Sequence, residues 1–84
     1  MATNSFTLKI ISPEGVIAER SVESVQLPMV DGEIGILPNH TTYAGQLKAG
    51  TVRCINSANA APESYEIRGG FARMSDNLLT VLAD

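Results

Sequence analysis

The sequence predicts an all-β protein, an antiparallel sandwich or small barrel of about eight to ten short strands. Three observations support this fold class. Apolar and polar residues alternate over short segments, which is the period of a half-buried strand. Seven glycines and four prolines are spread along the chain and separate these segments. Between them, no apolar stripe has the spacing of an amphipathic helix.

The first half of the chain contains five predicted strands. They are residues 6–11, 16–19, 22–27, 33–37 and 43–47. Ser12–Gly15 is a turn sequence with proline in its second position, so the first two strands are expected to pair. Val22 and Val25 break the strict alternation, which indicates a β-bulge or a late strand start. Asp31-Gly32 predicts the next turn.

The second half contains four more predicted strands. They are residues 51–55, 65–68, 71–74 and 78–82. The small and polar residues 57–64 are expected to form a loop, and Gly69-Gly70 to bend or bulge the chain. Asp76-Asn77 predicts a turn before the last strand. That strand consists mainly of leucine and valine, so we expect it to be mostly buried.

Length and charge limit the function classes. The 84 residues fit a single domain spanning residues 1–84, and 44% of them are hydrophobic, which suffices for one core. Six basic against nine acidic residues give a net charge of -3. Because nucleic acids and anionic lipids attract basic surfaces, neither is an expected partner. No apolar run is as long as a membrane span, so we expect no direct lipid insertion.

Cysteine, histidine and lysine offer few chemical options. One cysteine forms no intrachain disulfide, which suits a reducing compartment, and Cys54 is expected to be a small buried hydrophobe. One cysteine and one histidine cannot build a zinc site, so no metal is expected. His40 follows Asp31 and Glu33, but no nucleophile elbow is present, so a small hydrolase is a remote alternative.

Lys48 supports a second alternative. It stands alone before Ala49-Gly50 at a strand end, where lipoyl and biotinyl carrier domains present their modified lysine. The flanking sequence lacks the acidic or methionine residues typical of those domains. A carrier domain modified at Lys48 is therefore the alternative function, and a solvated turn lysine is the simpler interpretation.

The segment from Asp31 to Tyr43 is the most informative part of the chain. Ile34, Ile36 and Leu37 are more apolar than a free loop requires. If some of these side chains lie outside the core, they form part of a partner surface. The simpler interpretation is that Ile34 and Ile36 point inward as ordinary strand residues.

Five pieces of the chain, in order, resemble the epsilon subunit of F-type ATP synthases. They are Leu8–Pro13, Val22–Leu27 with Asp31–His40, Leu47–Arg53, Ile67–Phe71 and Leu79–Asp84. The second piece contains Gly32-Glu33-Ile34-Gly35-Ile36-Leu37-Pro38-Asn39-His40, which is similar to the family's G-E-(L/I)-G-(I/V)-x-P-x-H. The resemblance extends over almost the whole chain.

The resemblance implies the family's N-terminal domain, a flattened antiparallel β-sandwich of about ten short strands. It also implies a non-catalytic place in the central stalk, bound to the gamma subunit and the c-ring and assembled with the alpha and beta catalytic subunits. Such a subunit needs no cofactor and couples proton flow to ATP synthesis. The expected location is the cytoplasmic face of a bacterial inner membrane as a peripheral protein, or the stromal side of a thylakoid.

The resemblance also assigns partner contacts. The loop with Gly32 and Glu33 would face the c-ring, and His40 and Ser12 would lie near gamma. Leu37 and Pro38, between these positions, are expected to belong to the same contact surface. The family usually continues into a C-terminal helical hairpin that inhibits ATP hydrolysis. The chain stops before it, so no inhibitory role is expected.

Overall fold

The structure, a computed structural model, describes residues 5–38, 42–56 and 62–84. All regular secondary structure in these ranges is β, in eight strands. They are β1 (Phe6–Ser12), β2 (Gly15–Met29), β3 (Gly32–Ile36), β4 (Tyr43–Leu47), β5 (Gly50–Asn56), β6 (Glu63–Ile67), β7 (Gly70–Ser75) and β8 (Leu78–Ala83). The predicted all-β class is confirmed, with eight strands in the described ranges rather than about ten.

The long strand β2 takes part in both layers of the fold. Its first half pairs with β1, and β1, β8, β7 and β4 follow as neighbours in that order. Its second half pairs with β3 on one edge and with β5 on the other, and β6 follows β5. We call these the first and second layers. A single pair, Met29 with Leu47, joins the end of β2 to β4.

An irregularity in β2 lets one strand serve both layers. The register against β5 shifts between Val22 and Ser24, where the sequence predicted a bulge. The two strands predicted for residues 16–19 and 22–27 are therefore one continuous strand. A bulge bends its strand, and here the apolar residues on both sides of it, Val22 and Val25, are buried.

One pairing departs from the antiparallel pattern. Strands β1 and β8 run parallel, with Lys9 opposite Thr80 and Ile11 opposite Leu82. These strands lie near the two ends of the chain, so no tight turn forces them into opposite directions. All other pairs of neighbouring strands are antiparallel.

One hydrophobic core lies between the layers. Its largest fully buried side chains are Leu8, Ile10, Leu27, Ile36, Met74, Leu79, Val22, Val25, Val52, Val81 and Cys54. The expectation that β8 is mostly buried is wrong, because Leu79, Val81 and Ala83 point inward whereas Leu78 and Leu82 are exposed. The strand alternates, and its outer leucines face solvent.

The predicted turns are present where the structure describes them. Asp76 and Asn77 join β7 to β8 with φ values of 52° and 60°, the left-handed pair of a tight hairpin turn. The Asn77 side chain donates a hydrogen bond to the Ser5 carbonyl oxygen at 3.1 Å. Of the predicted loop 57–64, residues 57–61 lie outside the described ranges. Its end is wrong, because β6 already begins at Glu63.

Candidate partner interface

The predicted contact residues are divided between separate parts of the surface. Gly32 and Glu33 begin β3, directly after the turn at Val30 and Asp31. Leu37 and Pro38 follow the other end of that strand, about 16 Å away along the chain. The structure thus places the two pairs at opposite ends of β3. His40 lies outside the described residues.

Ser12 lies apart from both pairs. Ile11, next to Ser12, pairs with Leu82 of β8. From the adjacent Ala83, the pairs Ala83–Gly70, Gly70–Leu47 and Leu47–Met29 lead across β7 and β4 to the end of β2, near the β2–β3 turn. These are four interstrand steps, about 19 Å in all. The hydroxyl of Ser12 also acts within its own turn. It accepts a hydrogen bond from the Glu14 backbone N–H at 3.2 Å and donates one to the Gly15 carbonyl oxygen at 3.2 Å.

The apolar residues of β3 and its end differ in exposure. Ile36 is fully buried, and Ile34 is partly buried and packs against the core. Leu37 is 60% exposed. The simpler interpretation therefore holds for both isoleucines, Ile34 and Ile36, whereas Leu37 is available to a partner.

A larger apolar feature crosses the outer side of the first layer. Val16 lies opposite Ile11, Ile11 opposite Leu82, and Leu82 opposite Phe71. Val16, Leu82 and Phe71 are all more than half exposed. We call these four residues the apolar row. Exposed apolar groups in contiguous positions are typical of surfaces that bind other proteins.

A charged row runs beside the apolar row on the same face. Glu19 lies opposite Lys9, Lys9 opposite Thr80, and Thr80 opposite Arg73. Lys9, Thr80 and Arg73 alternate along their strands with buried neighbours, and Glu19 pairs with Lys9, so the four residues share the outer face. Neither row was predicted from the sequence, because the leucines of β8 were expected to be buried and the pairing that aligns the four strands was not predicted. The signal was the alternation within β8, which a continuous apolar run conceals.

The second layer is tied to the start of β2 by a polar cluster. The Arg20 Nε lies 3.3 Å from Glu63 Oε1, and the Tyr65 hydroxyl donates to the same oxygen at 3.1 Å. The hydrogen bond with Tyr65 and the charge of Glu63 raise the pKa of Arg20, so this guanidinium remains charged. The cluster lies at the side of the sandwich and connects β2 to β6.

Cys54 and Lys48 were considered for chemistry, and the structure describes the surroundings of both. Cys54 is fully buried, and burial, assisted by the charge of Glu63, raises the pKa of its thiol. The prediction of a structural cysteine is thus confirmed. Lys48 is exposed between β4 and β5, and its backbone N–H donates to the Pro28 carbonyl oxygen at 2.9 Å. Carrier modification at Lys48 stays a prediction.

Neither a metal-binding cluster nor a membrane-spanning helix is present in the described ranges. Within residues 5–38, 42–56 and 62–84, no three His, Cys, Asp or Glu side chains form a group that could hold a metal ion. Over the same part of the chain, the structure contains no helix with the length and apolar character of a membrane span.

A small β-sandwich with a contiguous apolar row on one outer face has the surface that is typical of protein-binding modules. Comparison with known proteins identifies the family. Residues 5–84 match the family described as the ATP synthase, Delta/Epsilon chain, beta-sandwich domain, and the chain belongs to that family. The resemblance found in the sequence is thereby confirmed.

Curated relatives agree with this assignment. The chain is 42% identical over 80 residues to the ATP synthase epsilon chain of Desulfitobacterium hafniense strain DSM 10664 / DCB-2. It is 38% identical over 78 residues to that of Granulibacter bethesdensis. These alignments span 95% and 93% of this chain but 59% and 57% of the relatives. The chain thus matches a little over half the length of its relatives.

A solved structure has the same fold. A chain in the cryo-EM structure of the Euglena gracilis mitochondrial ATP synthase, OSCP/F1/c-ring in rotational state 1, aligns with a TM-score of 0.89. The alignment covers 99% of this chain and 52% of that one at 21% identity. At that identity the similarity supports the fold alone.

Proposed function

We propose that this chain is a non-catalytic subunit domain of the central stalk of an F-type ATP synthase. In this proposal it binds the gamma subunit and the c-ring and rotates with them, so that proton flow drives the alpha and beta catalytic subunits. Membership of the delta/epsilon family supports the role. The observation on the molecule itself that carries the proposal is the apolar row, which a protein partner would cover.

The gamma contact is assigned to the outer face of the first layer, beginning at Ser12. A contact that persists through rotation needs an apolar centre and close packing. The apolar row provides such a centre, with Val16, Leu82 and Phe71 each more than half exposed. Ser12 lies at the end of β1, directly after Ile11 of this row. His40 stays a predicted gamma contact.

The c-ring contact is assigned to the turn at the start of β3. Gly32 and Glu33 lie next to the Val30–Asp31 turn, and Glu33 is exposed. An exposed carboxylate at the rim of an interface contributes about 0–1 kcal/mol. We therefore expect Glu33→Gln to bind almost normally. Leu37 and Pro38 would make a separate contact, and an aspartate in place of Leu37 would cost several kcal/mol there if the site is desolvated.

A stalk module must also resist shear. Two layers packed around one core supply stiffness because protein interiors are as dense as organic crystals. The strand β2 adds to this stiffness because it belongs to both layers. In this proposal the domain is peripheral to the cytoplasmic face of a bacterial membrane and is held there by its protein partners.

The test is recovery of the stalk with the tagged chain. The chain is expressed with the gamma and c subunits of its source organism, purified in detergent, and its partners are identified by mass spectrometry. Recovery of both subunits is the expected result. Leu82→Asp should lose gamma, whereas Ile55→Asp, which alters an exposed apolar residue of the second layer, should retain it. A folded wild-type chain that recovers neither subunit would refute the stalk role.

A further inference from the structure

The outer face of the first layer is complementary to itself. In order across β2, β1, β8 and β7, the charged row is Glu19, Lys9, Thr80 and Arg73. A negative charge thus stands at one end and a positive charge at the other, and Lys9 adds a second positive charge next to Glu19, where the two-fold described below would place it opposite Thr80 of the other copy. The apolar row runs parallel to it across the same four strands.

A second copy reverses this order when it is placed face to face about a two-fold axis. If the axis lies in the interface, parallel to the strands and between β1 and β8, Glu19 of one copy faces Arg73 of the other, and the contact occurs twice. The same rotation places Val16 on Phe71 and Ile11 on Leu82. Aligned sheets pack in this way when their inner faces are apolar.

We propose that this face binds a second copy of the chain and forms a symmetric dimer when no other partner covers it. The argument for this occupant is the charge match, because the registration that covers the apolar row also pairs Glu19 with Arg73. A face of four strands and two rows covers on the order of 400 Å² per copy. Since stable interfaces bury about 1,200 Å² or more in total, the dimer is expected to be weak.

Charge exchange between two variants tests the proposal. Glu19→Arg alone places two guanidinium groups together at each end of the interface, and Arg73→Glu alone places two carboxylates together. Each variant should associate at least about tenfold more weakly than the wild type. In an equimolar mixture, the new arginine of the first variant meets the new glutamate of the second, and the other contact is the original pair of Glu19 with Arg73. The mixture should therefore form a heterodimer.

Sedimentation velocity measures this association from about 10 μM to about 1 mM, the range in which weak dimers form. Glu66→Arg is the matched control, since Glu66 is exposed on the second layer and its reversal should leave association unchanged. Circular dichroism verifies that each variant is folded. A dilution series followed by NMR, with shifts confined to the two rows, is expected for the wild type. That measurement remains decisive if a variant does not fold.

The proposal is wrong if the wild type stays monomeric at about 1 mM. It is equally wrong if both single reversals dimerise like the wild type, because a different face would then be in use. A mixture of the two variants that stays monomeric would exclude the proposed registration. None of these results depends on gamma or the c-ring, so the dimer and the stalk role fail separately.

Discussion

Gly70 leaves the least room for a Cβ among the glycines of the described structure, and its replacement by alanine should have the largest effect of any glycine-to-alanine change. It is the first residue of β7 and pairs with Leu47 on one side and Ala83 on the other. Its φ is +134°, a conformation that residues with a Cβ rarely adopt. A Cβ placed there would overlap the Leu82 carbonyl oxygen and lie 2.9 Å from its carbonyl carbon.

The magnitude follows from two separate penalties. The unfavourable φ costs about 1–3 kcal/mol. The contact with Leu82 involves backbone, so relief requires β8 to move by about 1 Å and to lose pairing with β7, each lost hydrogen bond costing about 1 kcal/mol. With two or three bonds lost, the two penalties together amount to about 3–6 kcal/mol. A domain of this size has about 4–13 kcal/mol of stability. Gly70→Ala should therefore lose a large part of the stability, and all of it if the wild type lies at the lower end of this range.

Two other glycines separate the two penalties. Gly32 has φ +119° but open space where a Cβ would be, so Gly32→Ala should show the conformational cost of about 1–3 kcal/mol alone. Gly35 has neither feature, so Gly35→Ala should change stability by less than about 1 kcal/mol and in the favourable direction. Urea denaturation followed by circular dichroism ranks the three variants. If Gly70→Ala loses no more stability than Gly32→Ala, the steric argument is refuted.

Three further expectations concern the core and one turn. Leu27→Ala should lose about 2–5 kcal/mol in urea denaturation because it leaves a cavity at a fully buried site. Asn77→Gly keeps the left-handed turn but removes the bond to Ser5, a loss of about 0.5–1.5 kcal/mol; Asn77→Ala should lose more in the same assay. The pKa of the Cys54 thiol is raised from 9.0 by burial, so the unfolded chain releases this proton first and stability falls as pH rises above 9.0. Urea denaturation at a series of alkaline pH values should show a shallower decline for Cys54→Ala than for the wild type.

Most strands could be predicted because they follow from short-range sequence patterns. Strand β4 has the bounds predicted for it, Tyr43–Leu47, because alternation and flanking turn residues act over a few positions. The Asp76-Asn77 turn follows equally from two residues that tolerate left-handed φ. Strand pairing was less accessible. The parallel contact between β1 and β8 joins segments about 70 residues apart, and no short-range pattern encodes it.

The partner surface was only partly predictable for a related reason. Gly32, Glu33, Leu37 and Pro38 are close in sequence, yet the extended strand between them separates the two pairs. Ser12 is distant from both, across four interstrand steps. Proximity along a β-chain is a poor guide to proximity on its surface, because each residue advances the chain by about 3.3 Å. Only the pairing register shows which residues share a face.

The incorrect prediction that β8 is mostly buried bears on the function of the chain. A strand with apolar residues on both faces indicates burial on both faces, and the sequence of β8 has that character. The structure buries Leu79, Val81 and Ala83 but leaves Leu78 and Leu82 exposed. The apolar excess of the strand therefore exceeds what folding of the domain uses. In the proposed stalk, a covering surface supplied by another protein chain would account for it.

Two occupants are proposed for this surface, the stalk partner and a second copy of the chain. They are expected to differ in the area that they bury and therefore in how stably they bind. A second copy can cover on the order of 800 Å² in total, whereas a stable heterologous interface covers about 1,200–2,000 Å². The proposed dimer would therefore be populated only when the stalk partner is scarce, and stalk assembly would displace it because both contacts need Leu82 and Phe71. The same residues would protect the isolated chain from less specific aggregation, since a symmetric contact closes on itself and leaves no apolar row exposed.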